Sequence, residues 1–242
     1  MIDIHNHLLP GIDDGAPDIA TSVAMARMAV DDGIRHLVCT PHVQPGRFDN
    51  NLDSIAAALD MFRDALLDHG IPLQVVAAAE VHFGLEVMVG VKQSSLPFVG
   101  EWQGRKVLLL ELPHGEVPVG AERLTSWLLD NGVLPLLAHP ERNRGFIAKP
   151  AKLKPFLEQG CLLQLTASSL TGRFGQGARQ LAEELLTEGL VTVMATDAHN
   201  CEFRPPILSE GVARACELIG DDGGWQLVQT NPWQMTEVLF NR

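Results

Sequence analysis

The sequence predicts an α/β protein with a mainly parallel sheet, because short apolar strands alternate with helical segments along the chain. Seven apolar runs, often β-branched, lie at residues 2–4, 36–40, 73–79, 106–110, 134–138, 161–166 and 191–196. Such alternation is typical of parallel strands flanked by helices. The length of 242 residues is ordinary for one α/β barrel. Seven units favour a closed barrel over an open sheet, although the periodicity fits both.

Helical segments fill the spaces between these runs. We predict helices over residues 18–33, 50–69, 122–131, 152–159, 176–188 and 206–219, with a short one from about residue 232. Asp18 and Asn50 are suited to cap the first two helices, and Gly33 and Gly70 mark their ends. Gly and Pro clusters at 112–120 and 169–177 are typical of loops. Because no linker or repeat divides the sequence, residues 1–242 are expected to form one domain.

The charge and composition exclude several classes of protein. The formal net charge of −12 disfavours nucleic acid or an anionic membrane as a partner, since both require a basic surface. The sequence has no apolar run of about eighteen residues and no signal-peptide pattern at its start. We therefore expect a cytoplasmic protein without membrane insertion. The four cysteines, Cys39, Cys161, Cys201 and Cys216, are too irregular for a disulfide framework and are expected to be reduced.

Ionisable side chains lie at or just after the carboxyl ends of six of the seven apolar runs. They are His5 and His7, His42, Glu80, Glu111, His139, and Asp197 with His199. In a parallel barrel these ends share one face, where barrel enzymes place their chemistry. A lone carboxylate there is often only a helix cap or loop acceptor, but several together would repel one another without cations. We therefore predict a metal site, to which the sixth run, CLLQLTASS, adds no ionisable group.

The ligand types narrow the choice of metal. Imidazoles and carboxylates without thiolates suit manganese, iron or zinc, and the sequence does not choose among them. The spacing of His5 and His7 places both rings on one side of an extended chain, so that the pair can hold one ion. Within GIDDG, which follows the first run, either Asp13 or Asp14 is a candidate oxygen ligand.

Five motifs occur in order over nearly the whole chain: DIHNHLLPGIDDG, TPHVQPGRFDN, AAEVHF, HPERNR and TDAHNCEFRPP. Together they resemble the polymerase-and-histidinol-phosphatase (PHP) superfamily of metal-dependent phosphoesterases. The DDG after H-x-H and the RPP after D-x-H resemble, more narrowly, its bacterial capsule and exopolysaccharide branch of manganese-dependent tyrosine-protein phosphatases. This resemblance implies a distorted seven-stranded, TIM-like (β/α)7 barrel with three divalent ions, most simply manganese, with iron or zinc as alternatives.

The resemblance also implies a ligand set for each ion, with Glu80 bridging two of them, and favours Asp14 over Asp13. The sets are His5, His7, Glu80 and Asp197 for the first ion, Glu80, Glu111 and His139 for the second, and Asp14, His42 and His199 for the third. Two arginines, Arg142 in HPERNR and Arg204 in EFRPP, would contact a phosphate. Arg47, His82 and His114 have no assigned role, although His82, two residues beyond Glu80, is expected at the rim of the site.

The expected function is therefore a protein-tyrosine phosphatase that hydrolyses phosphotyrosine. Cations lower the pKa of bound water toward neutrality, so a metal-activated hydroxide is the expected nucleophile. The implied partner is the C-terminal tail of a bacterial tyrosine kinase that governs capsular or exopolysaccharide synthesis. Two alternatives stay open: a PHP phosphoesterase for a small monoester such as histidinol phosphate, and an inactive, metal-stabilised interaction module. A cysteine phosphatase is excluded, because no cysteine has an arginine six positions later.

Overall fold

Ten strands and eleven α-helices occupy the part of the chain that the computed structural model describes, residues 1–241. The strands are β1 (Ile2–Asp3), β2 (His36–Cys39), β3 (His42–Val43), β4 (Gln74–Ala77), β5 (Glu80–His82), β6 (Gly100–Trp102), β7 (Arg105–Glu111), β8 (Val133–Ala138), β9 (Leu162–Thr166) and β10 (Val193–Ala195). The α-helices are α1 (Ile19–Asp31), α2 (Leu52–Asp68), α3 (Glu86–Gln93), α4 (Ala121–Asp130), α5 (Arg144–Ala148), α6 (Lys154–Gln159), α7 (Ala167–Leu170), α8 (Gln176–Thr187), α9 (Ser209–Ile219), α10 (Asp221–Gln226) and α11 (Thr230–Phe240). Two 3-10 helices lie at Pro140–Arg142 and Pro150–Leu153.

Two of the predicted strands continue, after a two-residue break, as a second short strand beyond the predicted run. β2 passes into β3 across residues 40–41, and β4 passes into β5 across residues 78–79. Proline has no N–H to donate to a sheet, so the ladder breaks at Pro41. The backbones stay linked across the gaps, since the Ala78 N–H donates to the Cys39 carbonyl (2.8 Å). The parallel pairing is therefore irregular at these two positions, in keeping with the distorted barrel that the resemblance implies.

Parallel pairing runs from strand to strand in a ring. β1 pairs with β2 and β2 with β4, while the second sheet has the order β10, β9, β8, β7, β5, β3. A bridge between Asn6 and Ala198 joins the first and last strands. Two hydrogen bonds of 2.8 Å support it, from the His7 N–H to the Ala198 carbonyl and from the Asp197 N–H to the His5 carbonyl. The predicted α/β fold with seven parallel strand positions is therefore confirmed.

Apolar side chains fill one layer inside the ring and another between the ring and its helices. Along β7 the residues alternate: Val107 and Leu109 belong to the inner cluster, and Leu108 and Leu110 to the outer one. This follows from the two-residue period of a strand. Met235 of α11 joins the inner cluster. β6 pairs with the start of β7, and Gly100 of β6 packs against Met235 of α11. Helix α11 therefore lies at the amino end of the ring, away from the carboxyl ends of the strands.

The sequence patterns miss one strand and four short helices. β6 pairs antiparallel with the first half of β7 through a tight turn at Gln103 and Gly104. The helices α3, α5, α7 and α10 have eight residues or fewer, too few to show a helical period clearly. α7 also occupies the start of segment 169–177, which is predicted as a loop. The loop itself is confined to residues 171–175.

The predicted caps are partly corrected. The Asp18 side chain caps α1, as predicted. Asn51, rather than Asn50, caps α2. Asn50 instead donates from Nδ2 to the carbonyls of Ile12 and His42, at 2.8 and 2.9 Å. It therefore ties together two loops that carry predicted metal ligands.

Two further expectations concern the cysteines, expected to be reduced, and the membrane, into which no insertion is expected. All four cysteines lie within the described residues and are free, with Cys39 and Cys161 buried. Between residues 1 and 241, the structure contains no helix of the length and apolar character needed to cross a membrane.

Gly100 is a position where a side chain would be costly. Its φ is +139°, and a Cβ would lie 1.9 Å from the Met235 carbonyl oxygen. We expect Gly100→Ala to lower the free energy of unfolding by about 2 kcal/mol or more, because a packed interface would be forced apart. Urea denaturation measures this, with Gly115→Ala, at a glycine surrounded by open space, as the control. Equal stability of the two variants would contradict the close packing of Gly100 against Met235.

Candidate metal centre

A polar cavity of about 470 Å³ lies at the carboxyl ends of the strands. It is lined by most of the predicted site residues: Asp14, His42, Glu80, Glu111, His139, Arg142, Asp197, His199 and Arg204. The other two, His5 and His7, are fully buried beside it. The fold therefore brings together residues that range from position 5 to position 204 of the chain.

Four of these residues form the innermost cluster. The Nε2 atoms of His5 and His7 both face the Oε2 atom of Glu80 and the Oδ1 atom of Asp197, at N–O distances of 3.3 to 3.4 Å. The ligating atoms all lie within 4.8 Å of one another. One ion with bonds of about 2 Å can contact several atoms at this spacing.

A second cluster joins Asp14 to two histidines. The Asp14 Oδ1 atom lies 3.3 Å from His42 Nε2 and 3.5 Å from His199 Nε2. His7 also belongs to this cluster, and its ring centre is 3.9 Å from that of His199. The first two clusters are therefore adjacent and share His7.

Glu80 links these groups to a third cluster. Its Oε2 atom lies 2.9 Å from His42 Nδ1, and its Oε1 atom lies 2.9 Å from His139 Nε2. The compact set here is His42, Glu80 and Glu111, whereas the resemblance implies Glu80, Glu111 and His139. His139 contacts Glu80 through the other carboxylate oxygen. The two oxygens of Glu80 thus face different neighbours, as a bridging ligand requires.

Five buried polar atoms face this space without a hydrogen-bond partner. They are His5 Nε2, His7 Nε2, His42 Nδ1, Glu80 Oε2 and Asp197 Oδ1. Leaving one buried polar group unsatisfied costs about 1–3 kcal/mol. Divalent cations would satisfy all five, and nitrogen and oxygen donors of this kind suit manganese, iron or zinc. The donor set therefore fits a metal centre.

The outer nitrogens of the two deepest imidazoles are held by hydrogen bonds. His7 Nδ1 lies 2.6 Å from Asp13 Oδ2, and His5 Nδ1 lies 2.8 Å from Gln164 Oε1. Because these oxygens accept the Nδ1 protons, the Nε2 lone pairs are directed into the clusters. Metal-binding histidines in general are oriented in this way.

The two aspartates of GIDDG have different positions. Asp14 lies in the second cluster. Asp13 lies outside the clusters, where its Oδ2 atom accepts from His7 Nδ1 and from the His42 N–H (3.0 Å). A Cβ on Gly15 would lie 2.1 Å from the His7 carbonyl oxygen, so the DDG turn needs glycine there to approach the strand. The structure thus separates a candidate ligand from a residue that orients ligands.

Gln164 is a site residue that the sequence analysis misses. It lies in β9, which corresponds to the sixth apolar run and has no ionisable group at its end, and it is fully buried. Its Oε1 atom accepts from both His5 Nδ1 and the His139 N–H (3.2 Å). A single amide within an apolar strand was the available signal, because such a group requires a buried partner.

Burial and neighbouring charges act in opposite directions on the imidazoles. Burial would lower the pKa of His42, but Glu80 and Asp14 outweigh it and raise that pKa to about 10. Burial and the positive charge of Arg142 lower the pKa of His139 to about 4. In the absence of cations, the centre therefore draws protons onto some imidazoles and keeps others neutral.

The two innermost carboxylates stay ionised despite their burial. Burial would raise the pKa of Asp197, but Arg204 and Arg142 hold it well below its usual range. Burial would likewise raise the pKa of Glu80, but His5, among other imidazoles, holds it well below its usual range. Both side chains are therefore negatively charged at neutral pH and available to cations.

Two predicted ligands have a strained backbone. The φ angles of His139 and Asp197 are +34° and +52°, in a region that residues other than glycine rarely adopt. Such strain is concentrated at functional sites. After Asp197 the chain turns back, so that His199 Nδ1 lies 3.0 Å from the Asp197 carbonyl and its Nε2 atom faces Asp14.

Both predicted phosphate-binding arginines reach the same carboxylate. Arg142 Nη1 and Arg204 Nη2 each donate to Asp197 Oδ2, on the side away from the histidines. The Arg204 Nε–H is buried and has no partner. The Arg142 Nη2 atom lies 3.4 Å from His114 Nε2. Both arginines line the cavity, so both are placed to contact an anion that enters it.

Arg47, His82 and His114, which have no assigned role, also line this cavity. His82 Nδ1 lies 3.0 Å from Glu111 Oε2, which puts His82 beside the third cluster. His114 Nδ1 lies 3.6 Å from Glu111 Oε1. Arg47 is mostly exposed, and its Nη2 atom lies 3.6 Å from Asp14 Oδ2. All three surround the rim rather than the innermost cluster.

The fold and the site together define a class: a parallel β/α barrel with a cluster of His, Asp and Glu side chains that could hold metal ions at the carboxyl ends of its strands, as in metal-dependent hydrolases. The chain belongs to the CpsB/CapC family of capsular polysaccharide synthesis, whose pattern matches residues 1–237. The membership that the sequence motifs predict is therefore confirmed.

Individual relatives agree with this assignment. The tyrosine-protein phosphatase YwqE of Bacillus subtilis is 38% identical over 204 residues, which cover 84% of this chain and 79% of the relative. The putative tyrosine-protein phosphatase CapC of Staphylococcus aureus is 30% identical over 210 residues, covering 87% and 81%. A crystal structure from work on YwqE and on CpsB of Streptococcus pneumoniae, described as unique metal-dependent tyrosine phosphatases, matches with a TM-score of 0.89. It is 34% identical and covers 100% of this chain and 94% of that one.

Asp13 provides a test of how the centre is oriented. Asp13→Asn replaces an oxygen that accepts from His7 and the His42 backbone. We expect manganese affinity to fall by about 10- to 100-fold, as when other outer-shell partners of metal ligands are changed. Titration of manganese into chelator-treated protein measures this. Asp130→Asn, at an exposed position in α4, is the control, and equal affinities would show that Asp13 does not orient the ligands.

Proposed function

We propose that this protein is a metal-dependent protein-tyrosine phosphatase that acts in capsular or exopolysaccharide synthesis. The observation that carries the proposal is the convergence of the unpartnered ligand atoms and two arginines in one cavity. The relatives named as tyrosine-protein phosphatases support the choice of reaction. We also propose that residues 1–242 act as one catalytic domain.

We propose that His5, His7, Asp14, His42, Glu80, Glu111, His139, Asp197 and His199 bind three divalent ions, manganese being the first choice. Three such ions would exceed the charge of the four carboxylates by two, and the two arginines would add two more. The cavity would then be positive inside a protein whose formal net charge is −12. A local field of this sign attracts a phosphate dianion.

The arginines and the histidine ligands would have separate roles in this reaction. Arg142 and Arg204 would donate to the phosphoryl oxygens, because a guanidinium fork matches phosphate geometry and neutralises charge as it develops. When bound, the cations supply an activated water and neutralise phosphoryl charge. Burial and the neighbouring His7 lower the pKa of His199 to about 4, so its ring is neutral at neutral pH and suits a ligand better than an acid.

A tyrosine ester is well suited to this site. The phenol that leaves has a pKa of about 10, so its oxygen needs little protonation as the bond breaks. The cavity is open enough to admit a phosphorylated side chain from a protein surface or tail. We propose the phosphotyrosine-bearing tail of a bacterial tyrosine kinase as the partner.

The proposal is tested by turnover of a phosphotyrosine peptide by manganese-loaded protein, with and without chelator. We expect hydrolysis that chelator abolishes. Arg142→Ala should lower kcat/KM by about a hundredfold or more, as expected on loss of a transition-state donor. Arg144→Ala, an exposed arginine in the same HPERNR motif, should stay within about twofold.

Other outcomes would favour the alternatives. A kcat/KM about a hundredfold higher for histidinol phosphate than for phosphotyrosine peptide would assign the chain to small monoesters. Manganese binding without hydrolysis of either substrate would indicate an interaction module. Hydrolysis that persists after complete metal removal would contradict the proposed chemistry.

A further inference from the structure

We propose that loop 171–175, between α7 and α8, is a positioning element for both phosphate-binding arginines. Within it, Phe174 acts through Arg142, and Arg173 acts through Arg204. The inference rests on the proposed function, because it concerns the same phosphate site. The loop follows β9 and α7, in the part of the site where the sixth apolar run contributes no ionisable ligand.

Phe174 covers one face of the Arg142 guanidinium. The Arg142 Cζ atom lies 4.1 Å from the centre of the Phe174 ring. The Arg142 side chain is only 8% exposed and is held between this ring and Asp197. A cation–π contact uses the face of the guanidinium and leaves its N–H groups free at the edge. Phe174 therefore fixes the direction of Arg142 without competing for the donors that a phosphate would use.

Arg173 attaches the same loop to the segment that carries Arg204. Its Nη1 atom donates to the Phe203 carbonyl (2.9 Å) and to the Glu202 carbonyl (3.4 Å). That segment is closed by Asn200, whose Oδ1 atom accepts from the Arg204 N–H (3.0 Å). Since Phe203 immediately precedes Arg204, Arg173 restrains the backbone from which Arg204 extends.

Buried contacts join the base of the loop to the turn that carries Arg142. The Thr166 N–H (3.0 Å) and the Ser169 hydroxyl (2.7 Å) both donate to Glu141 Oε1. Glu141 is fully buried and immediately precedes Arg142. The end of β9, the loop and the Arg142 turn are therefore one connected unit, and a change in the loop reaches both arginines.

The experiment measures the affinity of inorganic phosphate for the full-length, manganese-loaded protein by calorimetry, and turnover of phosphotyrosine peptide in parallel. Phe174→Ala should weaken phosphate binding about tenfold, and Phe174→Leu nearly as much, because both lose the aromatic face. Phe174→Tyr should stay within about twofold. Arg173→Ala should weaken binding about threefold. Gln176→Ala, an exposed neighbour, is the control, and metal content is measured for every variant.

A double-mutant cycle separates positioning from general stability. In an Arg142→Ala background, Phe174→Ala should change phosphate affinity by less than about twofold, because the residue through which it acts is gone. The same loss in both backgrounds would overturn the proposal, as would wild-type affinity in Phe174→Leu. Phosphate affinity does not depend on turnover. A wild-type protein that binds phosphate but leaves phosphotyrosine intact would therefore refute the proposed function. The role of the loop would still be decided by the phosphate affinities of the variants.

Discussion

The architecture depends on carboxylates and imidazoles that converge in a buried space and do not satisfy one another. His5, His7, Glu80 and Asp197 lie within contact distance, yet their inward atoms lack hydrogen bonds. Removing such groups from water is costly unless charges and lone pairs are matched. Divalent cations would supply that match, and the barrel would then act as a rigid support for them.

The same constraint explains the connections around the cluster. Asp13 and Gln164 fix the rings of His7 and His5 from outside. Asp3 joins the first and last strands directly below, because its carboxylate accepts from the Thr196 N–H (3.0 Å) and hydroxyl (2.6 Å). Buried polar side chains are in general hydrogen-bonded, and here the bonds join residues of different strands. Much of the buried polar content therefore serves to hold ligands in place.

The sequence predicted the ring of strands and the residues at their ends because both depend on short-range patterns. Strand alternation and motif spacing are local, and parallel topology then brings distant ends together. Residue patterns alone did not choose between Asp13 and Asp14, because both occupy one turn, and only the family resemblance favoured Asp14. In the structure Asp14 lies in the second cluster, whereas Asp13 accepts from His7 and the His42 backbone. Gln164 and Phe174 were missed because their roles come entirely from tertiary contacts.

The most direct measurement is a crystal structure of the manganese-loaded protein with anomalous scattering recorded for the metal. The account predicts strong peaks among the carboxyl ends of the strands, one between the imidazoles of His5 and His7 and the carboxylates of Glu80 and Asp197. Peaks only on the protein surface, with these side chains bonded to one another or to water, would contradict it.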